Sequence, residues 1–234
     1  MMRQCERLAL GCAQLGMGYG IANSAGQPDR RAARELVRTC LKSGIRYFDT
    51  AQAYGNSESV LGDALEGSET ARVISKLSPE VVDTPANIRG SVADTLRRLG
   101  ANTVWGMMLH NEGQLDLWDL GLGDALLSLR QDGLVKHLGV SVYSSERALE
   151  ALEHPAIDLI QLPGSVFDRR PLKAGIIKRA RASGKTVFIR SVYLQGLARM
   201  SPDDLPSSFA FAQEPLRVFA EFCTAHACPR DQFA

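Results

Sequence analysis

Four ionisable residues of complementary type, Asp49, Tyr54, Lys76 and His110, lie in the first half of the chain. A phenol titrates near ~10 and is a poor acid at neutral pH, but a close ammonium favours the phenolate and brings it toward the working range. Lys76 is the candidate ammonium. A lysine buried in a barrel mouth tends to lose its proton, so it needs a carboxylate such as Asp49 to hold its charge. Asp49, Lys76 and Tyr54 then read as one tuned proton donor, and His110 as a hydrogen-bond donor that fixes the angle of a carbonyl. Such a set suits protonation of an oxygen as hydride arrives at carbon. Taken singly, each residue has a plainer reading: a packed tyrosine or histidine, or an Asp beside a Lys as a simple ion pair. The chemical reading rests on their falling together at the ends of successive strands.

The elements that must position them follow from periodicity. Short apolar runs read as strands at Leu8 to Ala13, Arg46 to Thr50, Arg72 to Lys76, Thr103 to His110, His137 to Ser141, Asp158 to Leu162 and Thr186 to Ser191. Helical stretches alternate with them. Asp29 caps the first, and Gly44 ends it. Others cover Ser57 to Leu65, Pro85 to Leu99 with Thr84 as cap, Gly123 to Gln131, Ser145 to Leu152 and Pro171 to Ser183. Seven such units in a single domain point to an α/β chain of the (β/α)8-barrel type, in which polar residues at the strand C-termini face the site. A doubly wound dinucleotide fold is disfavoured. Gly16, Gly18 and Gly20 lack the third glycine at the required spacing, and the helix begins only near Asp29. They read as a flexible loop over the first strand, with a phosphate cradle as the alternative.

The 234 residues include 27 Lys plus Arg against 26 Asp plus Glu, so no net charge draws the protein onto nucleic acid or an anionic membrane. A small-molecule partner is the expectation. The five cysteines are odd in number and lack paired CxxC spacing, which argues against a disulfide framework or a zinc ribbon and fits a reducing cytoplasm. Cys223, His226 and Cys228 lack a fourth ligand, so no metal is expected. The Met-Met-Arg start leads only to a short apolar run at Leu8 to Leu10, too short for a signal-peptide core or a membrane span.

The stretch Gly44 to Leu65, GIRYFDTAQAYGNSESVLGDAL, resembles the most diagnostic segment of the aldo-keto reductases. ISK at Ile74 to Lys76, LRRLG at Leu96 to Gly100, LH at Leu109 to His110 and LGVS at Leu138 to Ser141 follow in that family's order. The resemblance covers nearly the whole chain. It implies a barrel oxidoreductase that reduces an aldehyde or ketone with NADPH, or with NADH, using Asp49, Tyr54, Lys76 and His110 as a catalytic tetrad with Tyr54 as general acid. It also implies that Ser141 and Gln161 hold the nicotinamide carboxamide, and that Arg190, Ser191, Leu194 and Gly196 of RSVYLQG line the cofactor. Val142 stands where many members have Asn. Arg190 stands where many have a tyrosine stacked on the nicotinamide; its flat guanidinium offers a substitute stack, with an ion pair inside the barrel as the plainer reading. FIRSVYLQG and DRRP are similar to a bacterial subgroup whose genes accompany surface-sugar biosynthesis.

After Ser191 the sequence shows a polar, Pro-rich loop and one helix from Gln213 to Ala225, where the family adds a further helix, an eighth strand and a basic segment gripping the cofactor's adenosine phosphate. A barrel lacking its eighth strand and last helices is therefore expected, with the edges of its first and seventh strands exposed. Such a chain could be a truncation, could complete its barrel as a homo-oligomer, or could have become a catalytically impaired binding or regulatory subunit. A sugar-isomerase-like barrel using Lys76 and His110 is a third reading, which leaves Tyr54 and Ser141 without a task. Substrate choice would rest on the loops Gln14 to Pro28, Asn111 to Gly121 and Met200 to Ser208, with Trp105 and Trp118 as aromatic candidates, Trp118 being equally suited to packing.

Overall fold

The computed structural model describes residues 7–80 and 84–233. Cys5 and the Met-Met-Arg start lie outside the described residues. Seven strands, β1 (Ala9–Gly11), β2 (Tyr47–Asp49), β3 (Arg72–Leu77), β4 (Val104–Leu109), β5 (Val135–Ser141), β6 (Leu159–Pro163) and β7 (Thr186–Arg190), form one parallel sheet in sequence order. The helices are α1 (Ala13–Gly16), α2 (Arg30–Lys42), α3 (Ser57–Leu65), α4 (Pro85–Leu99), α5 (Leu122–Gln131), α6 (Ser145–Glu153), α7 (Arg170–Lys173), α8 (Ile176–Ala182), α9 (Gln213–Ala225) and α10 (Arg230–Phe233). None is long and apolar enough to cross a membrane among the described residues.

Caps explain where the helices begin. The Asp29 side chain accepts from the Ala32 amide, Thr84 from the Asn87 amide ahead of Pro85, and Ser144 from the Arg147 amide. Gly44 and Gly100, both at positive φ, end the helices before β2 and β4. The expected helix from Pro171 to Ser183 is two pieces, because Gly175 at φ 69° breaks it. The segment after β4, expected as a loop, is a 3-10 run (Glu112–Leu120). Asn111 and Gln114 close a reciprocal capping box at its start.

Alternation sorts the strand side chains into two layers. Phe48, Leu138, Val140 and Ile160 face outward and pack with Val37, Leu61, Val92, Leu126 and Ala148 of the surrounding helices. Each of these buried side chains other than Ala148 stabilises the fold by roughly 1.5–3 kcal/mol. Ile74, Met108 and Leu159 fill the barrel interior with Tyr47, Trp105 and Phe188. Trp105 stacks edge-on with Tyr47 at 5.0 Å and lies inside the barrel, not in a substrate loop. Trp118 is a packing residue, buried beside His154 at 4.6 Å.

The sheet is open between β1 and β7 among the described residues. The open side is bridged at the strand C-terminal end, where the Ile21 amide donates to the Gln195 carbonyl at 2.8 Å and Ala22 does so at 3.4 Å. Around this clasp, Ile21 and Leu194 pack with Leu197, Ala212 and Leu216 in a separate apolar cluster.

Candidate active site

Parallel register sets the C-terminal ends of all seven strands at one rim. Asp49 ends β2 opposite Ile74, and Lys76 sits two residues further along β3 opposite Met108. Lys76 is 1% exposed and Asp49 15%. The ammonium donates to Asp49 Oδ1 at 2.7 Å and to the Thr50 carbonyl at 3.0 Å. Burial pulls the Lys76 pKa down, but Asp49 and then Tyr54 outweigh it, so the net direction is above the ordinary lysine value. The lysine therefore stays charged.

Tyr54 lies in the loop between β2 and α3, with Lys76 Nζ 5.0 Å from its ring centroid. His110 follows β4 and meets the Tyr54 ring edge-on, centroids 5.7 Å apart at 89°. The His110 amide donates to Gln114 Oε1 at 2.6 Å, so the capping box that starts the next segment also fixes the histidine backbone. Burial, followed by the Lys76 charge, holds the His110 pKa below the usual histidine value. A neutral imidazole is the result. Its Nδ1 is buried with no hydrogen-bond partner.

Glycine places Tyr54. α1 ends at Gly16, where a Cβ would lie 1.9 Å from the Tyr54 carbonyl oxygen and 2.4 Å from the Ser57 nitrogen. The segment expected as a flexible loop thus contains a tight backbone contact against the site, and Gly16 is required by close approach, not by mobility. Gly16→Ala should destabilise the protein by about 1–3 kcal/mol, the range for forced overpacking. Urea denaturation would check it, and an unchanged midpoint would refute the contact. The base of the same loop is anchored by Ser57, which donates to the Cys12 carbonyl at 2.7 Å. Next to it, Glu58 is 2% exposed and accepts from Ser75 at 2.5 Å, Thr95 at 3.0 Å and Arg98 at 2.6 Å. This satisfied carboxylate ties α3 to β3 and α4.

On the other half of the rim, Ser141 and Gln161 are register partners, both 3% exposed. Gln161 Oε1 is buried without a partner. Arg190 ends β7. It makes no ion pair among the described residues. Its guanidinium carbon lies 4.2 Å from the centroid of the Tyr143 ring, and its nitrogens reach Ser191 Oγ at 3.4 Å and the Val142 carbonyl at 3.5 Å. Ser191, at φ 61°, begins the turn out of the strand. Leu194 and Gly196 belong to the clasp. The Leu194 side chain packs in the cluster with Ile21, and a Cβ on Gly196 would meet that of Ala22 at 2.6 Å. The structure thus gathers Asp49, Tyr54, Lys76 and His110 into one cluster and sets Ser141, Gln161, Arg190 and Ser191 around the same rim.

Two tyrosines were not singled out from the sequence. Tyr143 sits two residues past Ser141. Tyr19 lies in the glycine-rich segment; burial, followed by the proximity of Tyr54, pushes its phenol up, and Arg190 and Tyr143 are also among its electrostatic neighbours.

Fold and site together define a parallel β/α-barrel protein with a buried Lys76–Asp49 ion pair beside Tyr54 and His110 at the strand C-termini. The model of the Aldo/keto reductase family matches residues 7–227. D-threo-aldose 1-dehydrogenase of a Pseudomonas species is 26% identical, over 94% of this chain and 80% of its own length. An uncharacterized oxidoreductase of Mycobacterium bovis is 32% identical over 66% of this chain and 48% of its own. Among solved structures, the glycerol dehydrogenase of Gluconobacter oxydans superposes with a TM-score of 0.74 at 26% identity, covering 96% of this chain and 76% of that one. The chain belongs to the aldo/keto reductase family. It spans most of the Pseudomonas enzyme and about half of the mycobacterial protein.

Proposed function

We propose that this protein reduces the carbonyl group of a small aldehyde or ketone to an alcohol with NADPH, or with NADH, at the Tyr54 cluster. The observation that carries the reading is the buried Lys76, held charged by Asp49 at 2.7 Å directly beside Tyr54. The family membership, and relatives named as dehydrogenases, support it. The residues present also fit a nicotinamide. Gln161 Oε1 is a buried acceptor in want of a donor, and the Ser141 hydroxyl lies on the neighbouring strand, a pairing suited to a carboxamide. Bound there, the cofactor supplies the hydride that ends on the carbonyl carbon.

The chain's own groups handle the oxygen. The Tyr54 hydroxyl gives its proton to the carbonyl oxygen as charge develops there. Lys76 favours the resulting phenolate, and Asp49 keeps Lys76 charged. Neutral His110 donates to the same oxygen and sets its angle. Arg190 and Ser191 line the cofactor side of the mouth.

Titration of the purified chain with NADPH and with NADH, followed by fluorescence while light scattering records the mass, tests the reading. Saturable binding and reduction of an aldehyde are expected, and the mass would show whether a homo-oligomer forms. A folded protein that binds neither dinucleotide would overturn the reductase and favour a binding or regulatory subunit.

A further inference from the structure

A large aromatic side chain left in water has no folding reason to be held still. Tyr143 is 60% exposed, yet it is fixed from two directions. Glu112 Oε2 accepts from the Tyr143 amide at 2.9 Å and from the Ser144 amide at 3.3 Å. Glu112 is itself anchored, since Arg147 donates to its carbonyl at 3.0 Å and pairs with Asp116 and Glu150. From the other side Arg190 covers the ring at 4.2 Å while reaching the Val142 carbonyl. Charge-assisted hydrogen bonds of this kind are the strong ones, and a guanidinium over a ring adds a cation–π attraction. The segment after β4 thus holds the Tyr143 backbone while the end of β7 covers its ring, two residues beyond Ser141. Tyr19, 41% exposed, brings a second aromatic to the same mouth.

We propose that Tyr143, held by Glu112 and backed by Arg190, is the selectivity wall of the mouth and favours flat, ring-bearing carbonyl compounds over open-chain ones of similar polarity. The inference rests on the functional reading above and adds the substrate class to it. One ring face is taken by the cation, and the ring, 60% exposed, keeps area to stack on a substrate ring in an offset or edge-on contact. Tyr143 would touch the substrate. Glu112 is a positioning residue that acts through it.

The test uses the full chain, with and without NADPH, and measures binding of benzyl alcohol and 1-butanol, inert alcohol products, by NMR shift titration. Wild type should bind benzyl alcohol more tightly. Tyr143→Ala should weaken benzyl alcohol about fivefold, the size of one ring stack, and leave 1-butanol within twofold. Tyr143→Phe should restore the preference, and Glu112→Ala should reduce it while the ring remains. In turnover, Tyr143→Ala should raise KM for benzaldehyde about fivefold more than KM for butanal, with little change in kcat for benzaldehyde. Equal loss for both alcohols, or for neither, overturns the wall. Ring-selective binding without turnover would uphold it and sink the reductase reading; turnover without ring selectivity would do the reverse.

Discussion

Tyr54→Phe should lower the rate of carbonyl reduction by about 10²–10⁴-fold, the range for loss of a positioned general acid, while the cofactor binds as before. The change removes one oxygen and keeps the ring that meets His110 edge-on and lies over Lys76, so the fold is spared. Rate and cofactor affinity must therefore separate. Steady-state kinetics with parallel fluorescence titration would show it. A variant that keeps most of its rate would remove Tyr54 from the chemistry and leave the site without its proton donor.

Asp49→Asn should have the largest effect on stability. It strips the carboxylate from an ammonium that is 1% exposed, and breaking a buried pair from one side costs about 3–5 kcal/mol. That is a large share of the ~5–15 kcal/mol that holds a domain together. The pH dependence carries the signature. In the wild type the Lys76 pKa is raised, so its contribution is fully present below the unfolded lysine value near ~10.4 and is lost as pH rises through the folded one. In the variant burial dominates and the shift reverses, because the folded state then prefers the neutral amine. The deficit relative to wild type should shrink between neutral and alkaline pH. Urea denaturation at both would decide it, and a deficit that stays constant would mean that the ion pair is not its source.

Much of this arrangement was legible in the sequence. All seven strands fall where the apolar runs place them, and Asp29, Thr84 and Pro85 mark helix starts, since caps and β-rich runs are local signals. The cluster of Asp49, Tyr54, Lys76 and His110 was legible for a related reason: in a barrel, strand order turns chain order into neighbourhood. What was not legible depends on contacts between distant segments. Gly16 appears as one of three glycines until its distance to Tyr54 is known. The Arg190 side chain gives no sign in sequence of whether it seeks a carboxylate or a ring, and the answer, Tyr143, lies on another strand's loop. Trp105 illustrates the limit of composition: nothing local distinguishes a tryptophan inside a barrel from one on its rim.

The contact between residues 21–22 and Gln195 has a consequence for how the molecule tolerates damage. Among the described residues, strand pairing runs unbroken from β1 to β7 but does not return, and the mouth is closed into a ring by backbone bonds between two loops. Those loops carry Tyr19 on one side and follow Arg190 on the other. A proteolytic nick in either would leave the sheet and most of the buried interior intact while releasing the mouth. The site would then fail well before the fold does, and limited digestion would yield a protein whose unfolding midpoint is nearly normal and whose ligand affinity is not.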